Sequence, residues 1–473
     1  MSEITEYLVG FKNFFWSGPL LILLIGVGAY LSWKLKGVQL RYLIHSLGLV
    51  FFPKRPSKHE VGSRNSKQLS SFQSLMTGLA GAVGTGNITG IAIALSIGGY
   101  GALFWMWVIA VFGMVTAYAE ALLSIKFRTQ SGNSVLGGPM HTLVNGLGMK
   151  KTAVAFCCLC ILASFGIGGT VQSNSVAAGL HEVFNIDPKL TGFLMSLLTG
   201  CVVLGGLKSI GKAAGILVPF MGLLYLGAGA VVLIAHREYL GEAFLLIFRG
   251  AFSGQAASGA FLGASAVAAI QQGVSNGIFA NEAGLGSLAL AAGTADTQQP
   301  AKQGMLAICG VFVATMLICS ITGLTIAVTH VLGTTSHDGS MLTGSALTIA
   351  AFSKVFPSFG YIVVVGLVFF AFTTVLAWAY YGEVCLSFLF GPKTAKFYRV
   401  IYTFAVFLGV FIEPQLVWAL ANLANGFMAV PNLISIFRLV PVVEQETKAY
   451  LSSLKREAKI AEQVVGDPST SSG

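Results

Sequence analysis

Residues 81–90 read GAVGTGNITG. Four glycines, two threonines and an asparagine interrupt an apolar run that otherwise has the length of a membrane span. These residue types are poor formers of a continuous helix. Lipid supplies no hydrogen bonds, so irregular backbone at membrane depth persists only where it is buried in protein or lines a cavity. Gly84, Thr85 and Gly86 are therefore expected to face the protein interior. Unwinding there frees N–H groups at a new half-helix N-terminus, where an anion such as a carboxylate can bind, and carbonyls that can hold a cation. Glycine at 84 and 86 lets a ligand reach the backbone, since no side chain intervenes. For an isolated G-x-G the competing reading is a packing face between helices.

The remainder of the chain supplies the setting. Of 473 residues, 55% are hydrophobic and only 10% charged, against about a quarter charged in soluble domains. Several stretches run about 20 residues without a charge, enough to span a hydrocarbon core of about 30 Å. The pattern predicts an all-α polytopic membrane protein with eleven transmembrane helices, near residues 17–35, 68–97, 101–125, 152–180, 190–206, 213–235, 262–283, 303–330, 358–390, 399–412 and 415–437. The first apolar run, Gly18–Trp33, follows Glu3 and Glu6 and lacks a small-residue cleavage pattern. It reads as a retained helix rather than a secretory signal. The Cys157–Cys160 stretch CCLC sits in an apolar helix, where cysteine packs as a small apolar residue. The seven histidines show no zinc-type spacing, and no cofactor is implied.

Loop charge sets an orientation. With eleven crossings, 23 of the 28 Lys and Arg residues fall on one side, and only Lys12, Lys189, Arg237, Arg249 and Lys354 on the other. Positive loops mark the cytoplasm, so the N-terminus is expected outside and the C-terminus inside. Residues 1–67 then comprise an outer N-terminus, an extra helix and a basic connector, FPKRPSKHEVGSRNSK (Phe52–Lys67). Residues 68–440 form a ten-helix core in two halves, 68–235 and 262–437, and 441–473 form a cytoplasmic tail whose end, Val464–Gly473, is polar enough to be disordered.

A second interrupted segment, GVSNGIFANEAGLGS (Gly273–Ser287), lies late in the seventh span. Without the first span, the two interrupted spans are the first and sixth of ten, corresponding members of two five-helix halves. Five is odd, so the halves run in opposite directions. Paired broken helices in inverted halves are the strongest sequence pointer to a transporter site.

Several stretches then become familiar: GTGNITGIAIALSIGGYGALFWMWV (Gly84–Val108), GGPM (Gly137–Met140), VQSNSVA (Val171–Ala177), NEAGLGS (Asn281–Ser287), GSALTIAAF (Gly344–Phe352), YYGE (Tyr380–Glu383) and ANGFMAVPNLI (Ala424–Ile434). In this order, over roughly residues 70–450, they resemble the bacterial alanine or glycine:cation symporter family. The resemblance implies sodium- or proton-coupled uptake of small neutral amino acids such as alanine or glycine, in the multi-pass architecture of the bacterial cytoplasmic (inner) membrane. It also implies the LeuT-like 5+5 inverted-repeat fold of the neurotransmitter:sodium symporters, whose first broken helix carries a stretch similar to Ala82–Asn87. Three positions depart from the family pattern: Tyr100 for a proline, Asn422 for an aspartate, and Gly286–Gly293 (GSLALAAG) for a different run.

An amino acid presents a carboxylate, an ammonium and a side chain. No Arg or Lys lies deep in any span, so the carboxylate is expected on the backbone of Gly84, Thr85 and Gly86, with the Thr85 hydroxyl beside it. The ammonium then needs acceptors: carbonyls around Gly273–Asn276, and the amides of Gln172 and Gln271 or Gln272. Gln172 has interhelical hydrogen bonding as its other reading. Phe279 and Trp378 are candidates to wall the pocket, and the resemblance favours Trp378. The resemblance also places a sodium site at the carbonyls of Ala80 and Val83 with the hydroxyls of Thr373 and Thr374. Capping of these threonines onto the preceding turn is the alternative. Asn87 is a candidate ligand of substrate or a second cation. Glu120, Glu282 and Glu383 fall at span ends, either as gates paired with a basic residue or as solvated charges.

Other carriers of this architecture, moving for example a nucleobase, fit the same pattern. A channel would need a continuous polar path, and few polar residues line these spans. An intramembrane enzyme would need a nucleophile with its base, or metal ligands, and neither constellation is in the sequence. There is no G-x-x-x-x-G-K-[ST] phosphate loop.

Overall fold

The computed structural model describes residues 3–52, 68–131, 134–252, 266–336, 339–412 and 414–466. Most of the basic connector and the end of the tail, 467–473, lie outside the described residues. Among the described residues, eight helices are long and apolar enough to cross a membrane, including Gly10–Lys34, Gly101–Lys126, Leu207–Ala235 and Phe359–Phe390. Three expected spans are not among the eight: 68–97 is broken, while 190–206 and 262–283 appear as helices of 16 described residues each, Pro188–Val203 and Ala266–Asn281.

The first broken span consists of α1 (Ser71–Ala82) and α2 (Thr89–Gly98), joined by extended backbone at Gly84 and one 3-10 turn, Thr85–Asn87. α1 begins with a capping box in which Ser70 and Gln73 satisfy each other's backbone N–H. The chain returns along α3 (Gly101–Lys126). The second broken span consists of α4 (Ala266–Asn281) and α5 (Ser287–Ala292). The unbroken 32-residue helix α6 (Phe359–Phe390) packs beside α1.

The second break is narrower than expected. α4 runs unbroken through Gly273 and Asn276, and the chain departs from helix only at Glu282 (φ 54°), Gly284 (φ 90°) and Gly286 (φ 90°). The glycines before it serve packing. A Cβ at Gly273 would stand 2.3 Å from the Ala102 carbonyl oxygen, and one at Gly277 would stand 2.6 Å from Ile109. They allow α4 to lie directly on α3, as small residues do between membrane helices.

Other elements were not visible in the sequence pattern. A helix at Leu240–Phe252 covers the end of α3, with the Trp105 indole donating to Ala251 O at 3.1 Å. A short helix at Gly344–Ser353 packs on α2 and α6. A small antiparallel hairpin, Thr129–Ser131 with Ser134–Leu136, departs from the all-α expectation. The tail is helical over Val440–Gly466, and the end expected to be disordered, Val464–Gly473, lies mostly outside the described residues. The helix is tied to the N-terminal region by Lys34–Glu444 (4.0 Å) and to the end of α3 by Lys126–Glu446 (2.6 Å).

The three carboxylates placed at span ends are buried. Glu383 takes Arg399 in a two-pronged ion pair, both contacts 2.7 Å, the pairing anticipated for a gate. Glu120, 2% exposed, accepts the Gly286 N–H at 2.9 Å and the Asn432 amide, which also donates to Gly284 O at 3.0 Å. It is therefore a brace that holds the second break to α3, not a solvated end charge. Removing it leaves Gly286 N–H and one Asn432 proton without an acceptor, at about 1–3 kcal/mol each. Glu120→Ala should accordingly lower the thermal midpoint of the purified protein clearly, while Glu120→Gln, which keeps an acceptor oxygen, should retain most of the wild-type stability in the same melt.

Candidate functional site

The site follows from what becomes of the backbone groups that the first break releases. Asn87 closes the turn. Its amide oxygen accepts the Gly84 N–H at 3.0 Å, and its Nδ2 donates to Ala280 O and Ala314 O, both 3.1 Å, with Cys319 Sγ at 3.3 Å. Ala280 lies in the last turn of α4, so one side chain links the two broken spans. The Asn87 carbonyl accepts from Thr322 at 2.9 Å, and the Ile88 carbonyl from Thr348 at 3.3 Å. The Thr85 N–H points to Gln172 Oε1 at 3.4 Å, while Gln172 Nε2 holds Ile167 O at 3.1 Å.

On the α1 side the released groups are carbonyls. Gly84 N–H turns to Ala82 O and Asn87 rather than to Ala80 O, so Ala80 loses its helical donor. Thr374 of α6 stands there, its hydroxyl 2.9 Å from Ala80 O, 3.4 Å from Val83 O and 2.9 Å from Phe370 O. One hydroxyl carries one proton, so Ala80 O, Val83 O and Thr374 Oγ1 share a single hydrogen, while Phe370 O also takes the Thr373 hydroxyl. The C-terminal end of the α1 dipole adds partial negative charge at the same point. An oxygen-rich, proton-poor cluster at a helix C-terminus suits a small cation.

On the α2 side the released groups are donors. Among the described residues, the fully buried Thr85 hydroxyl has no hydrogen-bond partner, and the Gly86 N–H stands next to it in the same turn. Native interiors rarely leave such a hydroxyl unpaired. Both groups stand before the N-terminus of α2, where an anion is favoured.

The sequence-derived candidates can now be placed. The structure brings Ala80, Val83 and Thr374 together, and Gln172 beside Gly84 and Thr85. Thr373 is turned away: its hydroxyl meets Phe370 O at 3.1 Å and Met221 Sδ at 3.6 Å. The Phe279 ring covers Gly86, where a Cβ would come within 2.7 Å of it. Trp378 is fully buried and donates to Glu282 Oε1 at 3.0 Å. Gln271, Gln272 and Asn276 are half-buried on α4. The bonds from Asn276 to Gln272 O (3.0 Å) and Oε1 (3.2 Å) run along that helix. The carbonyls of Gly273–Asn276, expected to be freed, lie inside unbroken helix. Asn87, expected as a ligand, has its amide engaged by protein on both sides.

Two supports escaped the sequence reading. Ile167 and Ala314 both lie in π-helical turns, Ser164–Thr170 and Phe312–Cys319. Such turns displace a carbonyl from its usual partner and recur at functional sites. Each here offers that carbonyl to a residue of the site, Gln172 and Asn87. The first carries three glycines that hint at it. The second, FVATMLIC, carries no local signal.

Comparison with known proteins agrees with this architecture. A family model described as the sodium:alanine symporter family matches residues 1–464. The sodium/alanine symporter AgcS of Methanococcus maripaludis is 45% identical over 95% of this chain and 98% of its own. The probable sodium/glutamine symporter GlnT of Bacillus subtilis is 36% identical over 96% and 92%. Among solved structures, MhsT in complex with L-phenylalanine superposes with a TM-score of 0.55 at 14% identity, over 81% of this chain and 99% of that one. At that identity the likeness shows the fold, a LeuT-like one.

The contact between Gly86 and Phe279 is directly testable. Gly86→Ala should cut transport by at least about tenfold, the loss of one well-made contact, with normal membrane insertion. Adding Phe279→Ala should restore part of it by making room for the Cβ. Uptake in cells, normalised to membrane protein, is the measurement.

Proposed function

We propose that this chain, which belongs to the sodium:alanine symporter family, takes up a small neutral amino acid, alanine or glycine, with sodium as the coupled ion. As a member of that family it is a multi-pass membrane protein and a cation-coupled amino-acid symporter, not an enzyme. The reading of sodium and of a small substrate rests on one observation above all. The two ends of the first break offer opposite chemistry, oxygens at Ala80, Val83 and Thr374 and, before the N-terminus of α2, the unpaired Thr85 hydroxyl beside the Gly86 N–H.

In this reading the substrate carboxylate lies on the Gly86 N–H and the Thr85 hydroxyl, and Gln172 Oε1 and carbonyls near the breaks receive the ammonium. Phe279 and Trp378 bound the side chain. Sodium takes the oxygens around Thr374. The eleven crossings form one extra N-terminal helix and a 5+5 inverted repeat over 68–440, in the cytoplasmic membrane with the N-terminus outside. Support for that sidedness comes from Lys34, Lys126 and the Val440–Gly466 helix gathering at one end of the molecule.

Coupling to an ion has a clear benefit. One charge crossing about 100 mV gains about 2.3 kcal/mol, which concentrates a neutral zwitterion about forty-fold, and a sodium gradient adds to this. Alanine uptake into proteoliposomes should require an inward sodium gradient and exceed equilibration. Uptake that needs no cation gradient and stops at equilibration would refute the proposal. Thr374→Ala removes one ligand to a charged group, about 1.5–3 kcal/mol, so half-saturating sodium should rise at least about tenfold. Thr373→Ala should change it much less.

A further inference from the structure

Trp378 is held at both ends. At its root, a Cβ on Gly168 would stand 2.1 Å from Trp378 Cβ, so the π-helical turn Ser164–Thr170 presents bare backbone to α6 there. Tyr381 meets the indole edge-on, ring centres 5.5 Å apart. At its tip, the indole N–H reaches Glu282 Oε1 at 3.0 Å. Glu282 is 3% exposed and sits at the second break in the left-handed region, φ 54°. Its other carboxyl oxygen has no hydrogen-bond partner among the described residues. A non-glycine residue at positive φ is uncommon and persists where its surroundings demand it. Here the strained backbone delivers the side chain to the Trp378 indole N–H.

We infer that Glu282 is a positioning residue for selectivity: by holding the Trp378 indole in one orientation, it fixes the wall that limits the substrate side chain. Glu282 does not itself bind the amino acid; it acts through Trp378. Without its acceptor, a buried indole N–H is unpaired, and the ring can leave its rotamer and enlarge the pocket. The bond also joins the α4–α5 break to the unbroken helix α6. This rests on the reading above that Trp378 bounds the substrate.

The test is the ratio of alanine to leucine uptake efficiency in proteoliposomes, for Glu282→Ala, Glu282→Asp, Glu282→Gln, Trp378→Phe and the Glu282→Ala/Trp378→Phe pair. Losing one hydrogen bond corresponds to a change of up to about tenfold. Glu282→Ala should lower the ratio by about that factor, through a raised alanine KM with little change in maximal rate. Glu282→Asp keeps the charge but shortens the reach, and should behave like Glu282→Ala. Glu282→Gln keeps an acceptor at the right length and should stay within about threefold of wild type. Trp378→Phe should lower the ratio too, and the double variant should be no worse than the worse single, as expected for residues acting as one unit.

If Trp378→Phe shifts selectivity while Glu282→Ala and Glu282→Asp do not, the positioning role is wrong and the pocket assignment stands. If Trp378→Phe leaves selectivity unchanged, the pocket assignment fails and this inference fails with it. A Glu282→Gln variant as impaired as Glu282→Asp would also overturn it, because an acceptor at the right length would then not suffice.

Discussion

One amide side chain holds the centre of this protein together. Asn87 closes the turn of the first break through Gly84 N–H and reaches Ala280 O at the end of α4. In a membrane interior, a broken helix is tolerable only if its released peptide groups find partners in protein. Asn87 provides that for both breaks at once. Thr322 and Thr348 complete the α2 side by capping the Asn87 and Ile88 carbonyls. Without such braces the cost of unwinding would favour a continuous helix, and the backbone groups that make the site would disappear into it.

What the braces leave unpaired is as informative as what they satisfy. The two half-helices meet end to end at the break, so the negative end of α1 and the positive end of α2 face the same small volume. Thr374 marks the first and Gly86 the second. A zwitterion with a companion cation carries the complementary charges, which explains how an amino-acid carrier can work without an arginine or lysine deep in its spans. Glycine at 84 and 86 is required for a further reason: the Thr374 hydroxyl and the Phe279 ring each stand 2.7 Å from where a Cβ would be.

The first break and its neighbours were legible because glycine in an apolar run is a strong signal, and because Thr374 and Gln172 are polar where lipid would penalise them. The second break was located too broadly, since Gly273 and Gly277 give the same signal for a different cause, close packing on α3. Asn87 was assigned to the ligand because an amide at a break suits either role, and only its partners decide. Thr373 and Thr374 are neighbours in sequence, yet helical geometry turns one toward Met221 and the other toward Ala80. The π-helical turn at Phe312–Cys319 lay beyond sequence reading, because no residue in it disfavours an ordinary helix. Glu120 and Glu282 were placed at span ends by hydropathy, while the structure buries both against the second break.

The most direct test is a high-resolution structure determined in sodium and L-alanine. The account requires density for the ion among Ala80 O, Val83 O and Thr374 Oγ1, and the alanine carboxylate on the Gly86 N–H and the Thr85 hydroxyl. Alanine bound through other groups, with residues 83–88 wound into continuous helix, would contradict it.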